Sequence, residues 1–226
     1  MYIDAQKRIQ DLRLHLLDMS KLSQRAVDYA IKGYKLGSPE FCRYVRRGDR
    51  ELRELHRRIT EMCQKLPMKE LALLEGPDLA SVARFPVSAL RISSALQATC
   101  TAAAEIAHHT MLLLEDVRRP GAVALEKVCF LVNRLMCLCI VALFKENGQH
   151  AETVLLNHDL PRLFEEASHD LRNDTTRQGS IPAALELAIA NSLKQIARQT
   201  REIAEAIVFW LEGPKCAVIS GARVGL

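Results

Sequence analysis

Aromatic residues make up only 5% of this 226-residue chain, with a single tryptophan, and there are only 10 glycines and 8 prolines. So few aromatics argue against strand pairing as the source of a core, while the abundance of Leu, Ala, Arg and Glu favours helices. No sign of charge dominates: 31 Lys and Arg against 27 Asp and Glu leave a formal net charge of +4. Basic residues are interleaved with acids and stacking aromatics are scarce, so no nucleic-acid partner is expected. The longest apolar run, Val128 to Phe144, is interrupted by Asn133 and Arg134. It falls short of the ~20 residues that a membrane-crossing helix needs. Residues 1–10 carry charges throughout and lack the apolar stretch of a signal peptide, so the expected location is the cytoplasm, with no membrane span.

Also missing are the signatures of common chemistries. There is no GxSxG, no Walker-type phosphate loop and no paired CxxC. Seven cysteines are an odd number, and Cys63, Cys100, Cys129, Cys137 and Cys139 fall in apolar helical patterns. They are read as small buried hydrophobes, not disulfides or metal ligands. Ser93 and Ser94 have no histidine at a spacing the sequence can vouch for. Glu105 and Glu205, one in each of the two repeated segments described below, are read as helix-flank residues and not as a catalytic pair. The adjacent His108 and His109 diverge by about 100 degrees on a helix, and no third ligand is placed by spacing. The expectation is a non-enzyme with no cofactor.

What the chain has is punctuated helical periodicity, which divides it into six helices and makes the fold class all-α. The first runs from about Asp4 to Lys35, with Ile9, Leu12, Leu16, Met19, Ser23, Ala26, Ala30 and Gly33 on one stripe. Gly37-Ser38-Pro39 stops it and supplies Ser38 as cap and Pro39 as first residue of the second, which reaches Lys65 before Pro67. The third opens near Gly76-Pro77-Asp78 and runs to Arg119, with a kink expected around Val82 to Pro86. The fourth, Ala122 to Glu146, is apolar around most of its circumference, which suits cover on more than one side, by a second copy in a homodimer or by burial between bundles. Asn147-Gly148 ends it. The fifth spans Gln149 to Leu171 and contains Pro161; the sixth follows Gly179, with Ser180 as cap, and ends at Gly213-Pro214.

Two of these helices carry one segment twice: RISSALQATCTAAAEIA from Arg91 to Ala107 and NSLKQIARQTREIAE from Asn191 to Glu205, each containing a Glu-Ile-Ala triplet. The duplication implies two tandem antiparallel three-helix bundles, over residues 1–119 and 120–213, followed by an aperiodic tail at 214–226. Aligning Leu52 with Leu160 and Leu96 with Leu193 leaves 44 residues between landmarks in the first half and 33 in the second. The first helical hairpin is therefore longer by about three turns.

The chain resembles the PhoU family of phosphate-transport regulators, which are built from two such bundles. The family's first long-helix signature, ASDLRxIxxALKISxDLERIGDxAxNIAE, is followed by Ala80, Ser81, Arg84, Val87, Ala89, Leu90, Ile92, Ser93, Leu96, Ala103, Ile106 and Ala107. The second, LERIADHATNIAEEVIYLVTGE, is matched by Leu193, Ile196, Ala197, Ile203, Ala204, Glu205, Ile207, Val208, Leu211 and Gly213. The likeness covers about residues 5–213, mostly at packing positions. It implies negative control of phosphate uptake through contact with the ATPase of a phosphate transporter and with a membrane sensor kinase. It also implies acidic pairs, ExxxD on helices three and six and DxxxD on helices two and five, that hold iron- or zinc-type clusters. At the matching positions stand Asp49/Arg53, Gln97/Thr101, Asn157/Pro161 and Lys194/Arg198, of which only Asp49 is acidic. Charged Lys194 and Arg198 repel a cation and cannot ligate one, so the metal clusters are expected to be absent.

Replacement of acid by base points instead to an anion-attracting surface for an acidic protein partner or phosphate groups. Lys194, Arg198 and Arg201 lie on one flank of helix six, and Arg43, Arg46, Arg50, Arg53 and Arg57 follow one another along helix two. The plainer reading is a solvated helix face on which Arg53 and Arg57 pair with Glu54, Glu61 or a neighbouring helix. The functional expectation is a regulator of phosphate uptake acting by protein binding; the alternative is a structural or oligomerisation adaptor whose basic surface serves another acidic partner or, as the lesser option, nucleic acid.

Overall fold

The computed structural model describes residues 2–66, 79–115, 123–178 and 181–214. These form helices α1 (Tyr2–Leu36), α2 (Pro39–Gln64), α3 (Leu79–Glu115), α4 (Val123–Lys145), α5 (Gly148–Leu155), α6 (Asp159–Gln178) and α7 (Ile181–Glu212), and no strand occurs among the described residues. The six-helix plan holds, with its fifth position divided between α5 and α6.

Every residue of the stripe read on α1, from Ile9 to Gly33, is buried. On α2 the apolar set Cys42, Val45, Leu52, Ile59 and Cys63 is buried, and Arg43, Arg46, Arg50, Arg53 and Arg57 are exposed, so two stripes on different faces divide one helix into core and surface. α1, α2 and α3 pack on one another, and in a second set α4 and α7 pack together with α5 and α6 each against both. The most extensive contact joins the two sets, between α3 and α7, with α1 against α4 beside it. Ala102, Ala103 and Ala107 on α3 and Ala204 and Ala206 on α7 are fully buried, and such small residues let backbones approach closely. Several buried hydroxyls are satisfied by backbone carbonyls. Thr99, Thr110 and Thr200 donate to the carbonyl four residues earlier, and Ser23 on α1 donates to the Leu96 carbonyl on α3 at 3.2 Å.

Helix ends follow from backbone chemistry. At the end of α1, Gly37 has φ 62°, and the Ser38 N–H donates to the Gly33 carbonyl at 3.0 Å. Ser38 takes the extended conformation of an N-cap, but its side chain makes no capping hydrogen bond to α2, so the expected cap is one of backbone shape only. At the end of α4 the left-handed position is held by Glu146, φ 49°, and not by the Asn147-Gly148 pair. Those two residues instead open α5, with Asn147 Oδ1 accepting from the Gln149 N–H at 2.9 Å. α7 ends at Gly213, φ 87°, where Arg84 from α3 donates to the Trp210 and Leu211 carbonyls at 3.1 and 3.2 Å. α3 continues without interruption through Pro86. The expected cap Ser180 and the tail from 215 onward lie outside the described residues.

α4 corrects the reading of its apolar run. The helix accommodates Asn133 and Arg134 and is long and apolar enough, by length and composition, to cross a membrane, with a mean hydropathy of 2.1 over its most apolar stretch. Half of that stretch is buried inside the protein, against α1, α5, α6 and α7. The cover on more than one side comes from within the chain, while Val123, Phe130 and Phe144 stay exposed.

Candidate functional site

The division of the fifth helix builds the site. Leu156, Asn157 and His158 are not helical, and Asn157 Oδ1 accepts from the Leu160 N–H at 3.2 Å, capping the start of α6. Pro161 then falls in the first turn of α6, where its missing N–H costs no helical bond. Asn157 and Pro161 are consequently not an i,i+4 pair on one helix face, as the resemblance implied.

The chain break and α6 form one wall of a cleft of about 1020 Å³, and α7 forms the other. Lys194, Arg198 and Arg201 line the α7 side; Asn157, Pro161, Glu165, Ser168, His169 and Arg172 line the opposite side. Between them lies apolar surface from Leu135, Val154, Leu160, Phe164 and Ala197. Two of the four altered acidic pairs, Asn157/Pro161 and Lys194/Arg198, are thus brought together. Lys194, Arg198 and Arg172 are exposed and have no ion-pair partner among the described residues. Arg201 is engaged, donating to Glu205 at 3.3 Å and to the Leu155 carbonyl at 3.2 Å, so it also ties the end of α5 to α7. Arg198 further edges a groove between α3 and α7, next to the Arg91–Glu202 pair at 3.8 Å.

The other predicted positions are elsewhere. Arg46, Arg50 and Arg53 are exposed on α2, and α2 makes no contact with α7 among the described residues, so the two basic rows do not share a helix interface. The side chain of Asp49 lies outside the described residues. On the same helix Arg57 bonds Glu54 and Glu61, and Arg58 bonds Glu54; the two guanidiniums hold the Glu54 carboxyl down to about 2. At the other altered pair, on α3, Thr101 Oγ1 donates to the Gln97 carbonyl at 3.2 Å.

Metal ligation by these groups does not fit their chemistry. Pro161 has no side-chain donor atom, the Asn157 oxygen is engaged as a cap, Thr101 bonds its own helix, Lys194 and Arg198 are both cationic, and Asp49 has the cationic Arg53 at i+4 in place of a second carboxylate. Among the described residues no three His, Cys, Asp or Glu side chains converge. His108 is exposed and His109 partly buried, their rings 5.6 Å apart, and burial pushes the His109 pKa down. The six described cysteines are free; all are buried except Cys137, which is partly so, and burial raises the Cys129 thiol to about 12.

Sequence reasoning missed a serine–histidine contact. His56 on α2 places Nδ1 3.2 Å from Ser93 Oγ on α3. That hydroxyl also lies 3.0 Å from the Leu90 carbonyl, to which it donates, and Ser93 is fully buried, so the contact ties α2 to α3 at a place closed to solvent. Spacing within one helix could not reveal a contact between two. Arg172 and His169 were also missed, although the order Glu165, Ser168/His169, Arg172 has the three-four spacing of a single helix face. The acidic residues need one correction as well. Aligned on Leu96 and Leu193, the counterpart of Glu105 is Glu202, not Glu205. Glu105 accepts from Ser192 at 3.0 Å, while Glu205 bonds Arg201.

No protein-family model matches the chain, and no curated protein matches it by sequence. Solved structures do. PhoU from Pseudomonas aeruginosa superposes with a TM-score of 0.82 at 21% identity, covering 92% of this chain and 99% of that one. The phosphate transport system regulatory protein PhoU from Streptococcus pneumoniae gives 0.79 at 19% identity, over 93% and 98%. At such identities the superposition speaks for architecture alone, and over nearly the whole of both molecules that architecture is the PhoU fold, carried here by a divergent sequence.

Proposed function

We propose that this protein is a non-enzymatic, cytoplasmic regulator of phosphate uptake that acts by reversible binding to the ATPase of a phosphate transporter or to a sensor kinase. The observation carrying this reading is the end-to-end likeness to two PhoU proteins, one of them a phosphate transport system regulatory protein. The engaged, buried Ser93 and the open cleft with cationic walls are consistent with binding in place of chemistry. Regulation by contact requires that the partner's conformational states differ in affinity for this chain, which an exposed and reversible surface allows. Deleting the gene is expected to raise phosphate uptake in phosphate-replete cells several-fold, and tagged protein should capture the transporter ATPase or the kinase from the same cells. Unchanged uptake on deletion, in a strain where the protein is expressed, would overturn the reading.

The proposed regulator works without iron or zinc, because the donor sets that would hold them are gone. Elemental analysis of protein purified without chelator is expected to find far less than one iron or zinc per chain. Stoichiometric metal lost on substituting Gln97 and Thr101 together would contradict this.

A further inference from the structure

We infer that the cleft between α6 and α7 is a docking groove for an acidic amphipathic helix of a partner protein. This rests on the reading of the chain as one that acts by binding another protein, and it specifies the chemistry of that partner.

Three observations lead there. First, the cleft is lined in two parts. Its floor is apolar, from Leu135, Phe164 and Ala197 among others, and its α7 wall presents Lys194, Arg198 and Arg201 at positions i, i+4 and i+7. A helix lying alongside α7 with carboxylates at i and i+4 meets Lys194 and Arg198 in turn, over about 6 Å at 1.5 Å per residue. Its neighbouring apolar stripe then covers the floor, the helix-in-groove mode of recognition. Second, the groove gathers cations that hold no carboxylate of their own. Arg57, Lys32 and Arg162 each hold a carboxylate on their own helix, whereas Lys194, Arg198 and Arg172 have no ion-pair partner among the described residues. Among the described residues Glu165 is the only acid on the lining, so the field in the groove is positive and favours an anionic partner over a neutral one. Third, at about 1020 Å³ the groove lies at the upper limit of the ~300–1,000 Å³ usual for small-molecule sites.

The chain's own end is a poor occupant. Residues 215–226 contain Lys215 and Arg223 and no Asp or Glu, the wrong sign for this groove. A single phosphate ion would use the cations but leave the apolar floor uncovered.

The test uses the full chain and a fluorescein-labelled peptide of about three heptads, long enough to form a helix, with Glu at heptad positions one and five and Leu at positions two and six. Fluorescence polarisation is expected to show saturable binding that weakens as salt is raised, no binding of the same peptide with Lys in place of Glu, and at least a tenfold loss in the Lys194→Glu/Arg198→Glu double variant. Arg172→Glu, on the opposite wall, should weaken binding in the same direction. Circular dichroism should leave the helix content of both variants unchanged. The inference fails if the wild-type chain does not bind the Glu peptide, if the double variant binds it as well as wild type, or if inorganic pyrophosphate displaces it at equal concentration, which would make the groove a small-anion site. Such a failure leaves uptake in the deletion strain as a separate measure of the regulatory reading.

Discussion

Replacing Trp210 with alanine is expected to lower the stability of the folded chain by about 3–5 kcal/mol, the range for removing a large buried aromatic. Trp210 is 1% exposed near the end of α7, and it joins parts of both helix sets. Its ring centroid lies 4.7 Å from that of Phe85 on α3, and the Arg13 guanidinium from α1 sits 5.4 Å from the Trp210 ring and 5.3 Å from Phe85. Arg13 in turn pairs with Glu146, just past α4, at 3.0 Å. The backbone at the same place is held by Arg84, which donates to the Trp210 and Leu211 carbonyls. Truncation therefore opens a cavity, removes both aromatic contacts and strips one face from a guanidinium that is itself mostly enclosed. For a chain of this size the loss corresponds to a fall in Tm of roughly 6–20 °C. Trp210→Phe should cost much less, on the order of 1–1.5 kcal/mol, because the indole N–H has no hydrogen-bond partner among the described residues and its removal forfeits none. Thermal melts followed by far-ultraviolet circular dichroism decide the matter: an alanine variant within 1 kcal/mol of wild type would show that this junction does not hold the two sets together.

The same junction shows what a sequence can and cannot reveal. Periodicity on one helix was enough to find the buried stripe of α1 and the two faces of α2, since both are one-dimensional patterns with a period of 3.6. The altered acidic pairs were found by their positions along the chain. That Asn157/Pro161 and Lys194/Arg198 line one cleft depends on α6 packing against α7, and α6 takes its direction from the break at Leu156 to His158. No repeat or spacing predicts that break; it depends on Asn157 capping a helix whose first turn tolerates Pro161. Contacts between helices were out of reach for the same reason. His56 with Ser93, and Tyr34 with Glu186 across the two sets, join residues far apart in sequence whose own neighbours give no sign of a partner. The Glu146 left-handed residue was hidden by a stronger local signal, because Asn147-Gly148 reads as a helix stop but is used as a helix start.

Leu96→Ala and Leu193→Ala should each cost about 2–5 kcal/mol, and should do so through a single shared unfolding transition. The two leucines are equivalent by repeat and both are 0% exposed, one on α3 and the other on α7. Leu96 also offers its carbonyl to Ser23 of α1, which anchors α3 within the first set, while Leu193 sits one turn from Ala197 and the cleft floor. If the bundles 1–119 and 120–213 were independent domains, each substitution would shift the melting of its own half and leave the other untouched. The contact between α3 and α7 argues otherwise: it is more extensive than any contact between two helices of one set, so α3 and α7 each have their largest single helix partner in the opposite bundle. Neither set keeps that surface covered when the other unfolds, and exposing it costs on the order of 25 cal/mol per Å² of apolar area. Both variants are therefore expected to lower one common Tm, with coincident transitions by near- and far-ultraviolet circular dichroism. Two resolved transitions, with each variant moving only one, would make the duplicated bundles separate domains and would confine the effect of the α6–α7 cleft to the second half.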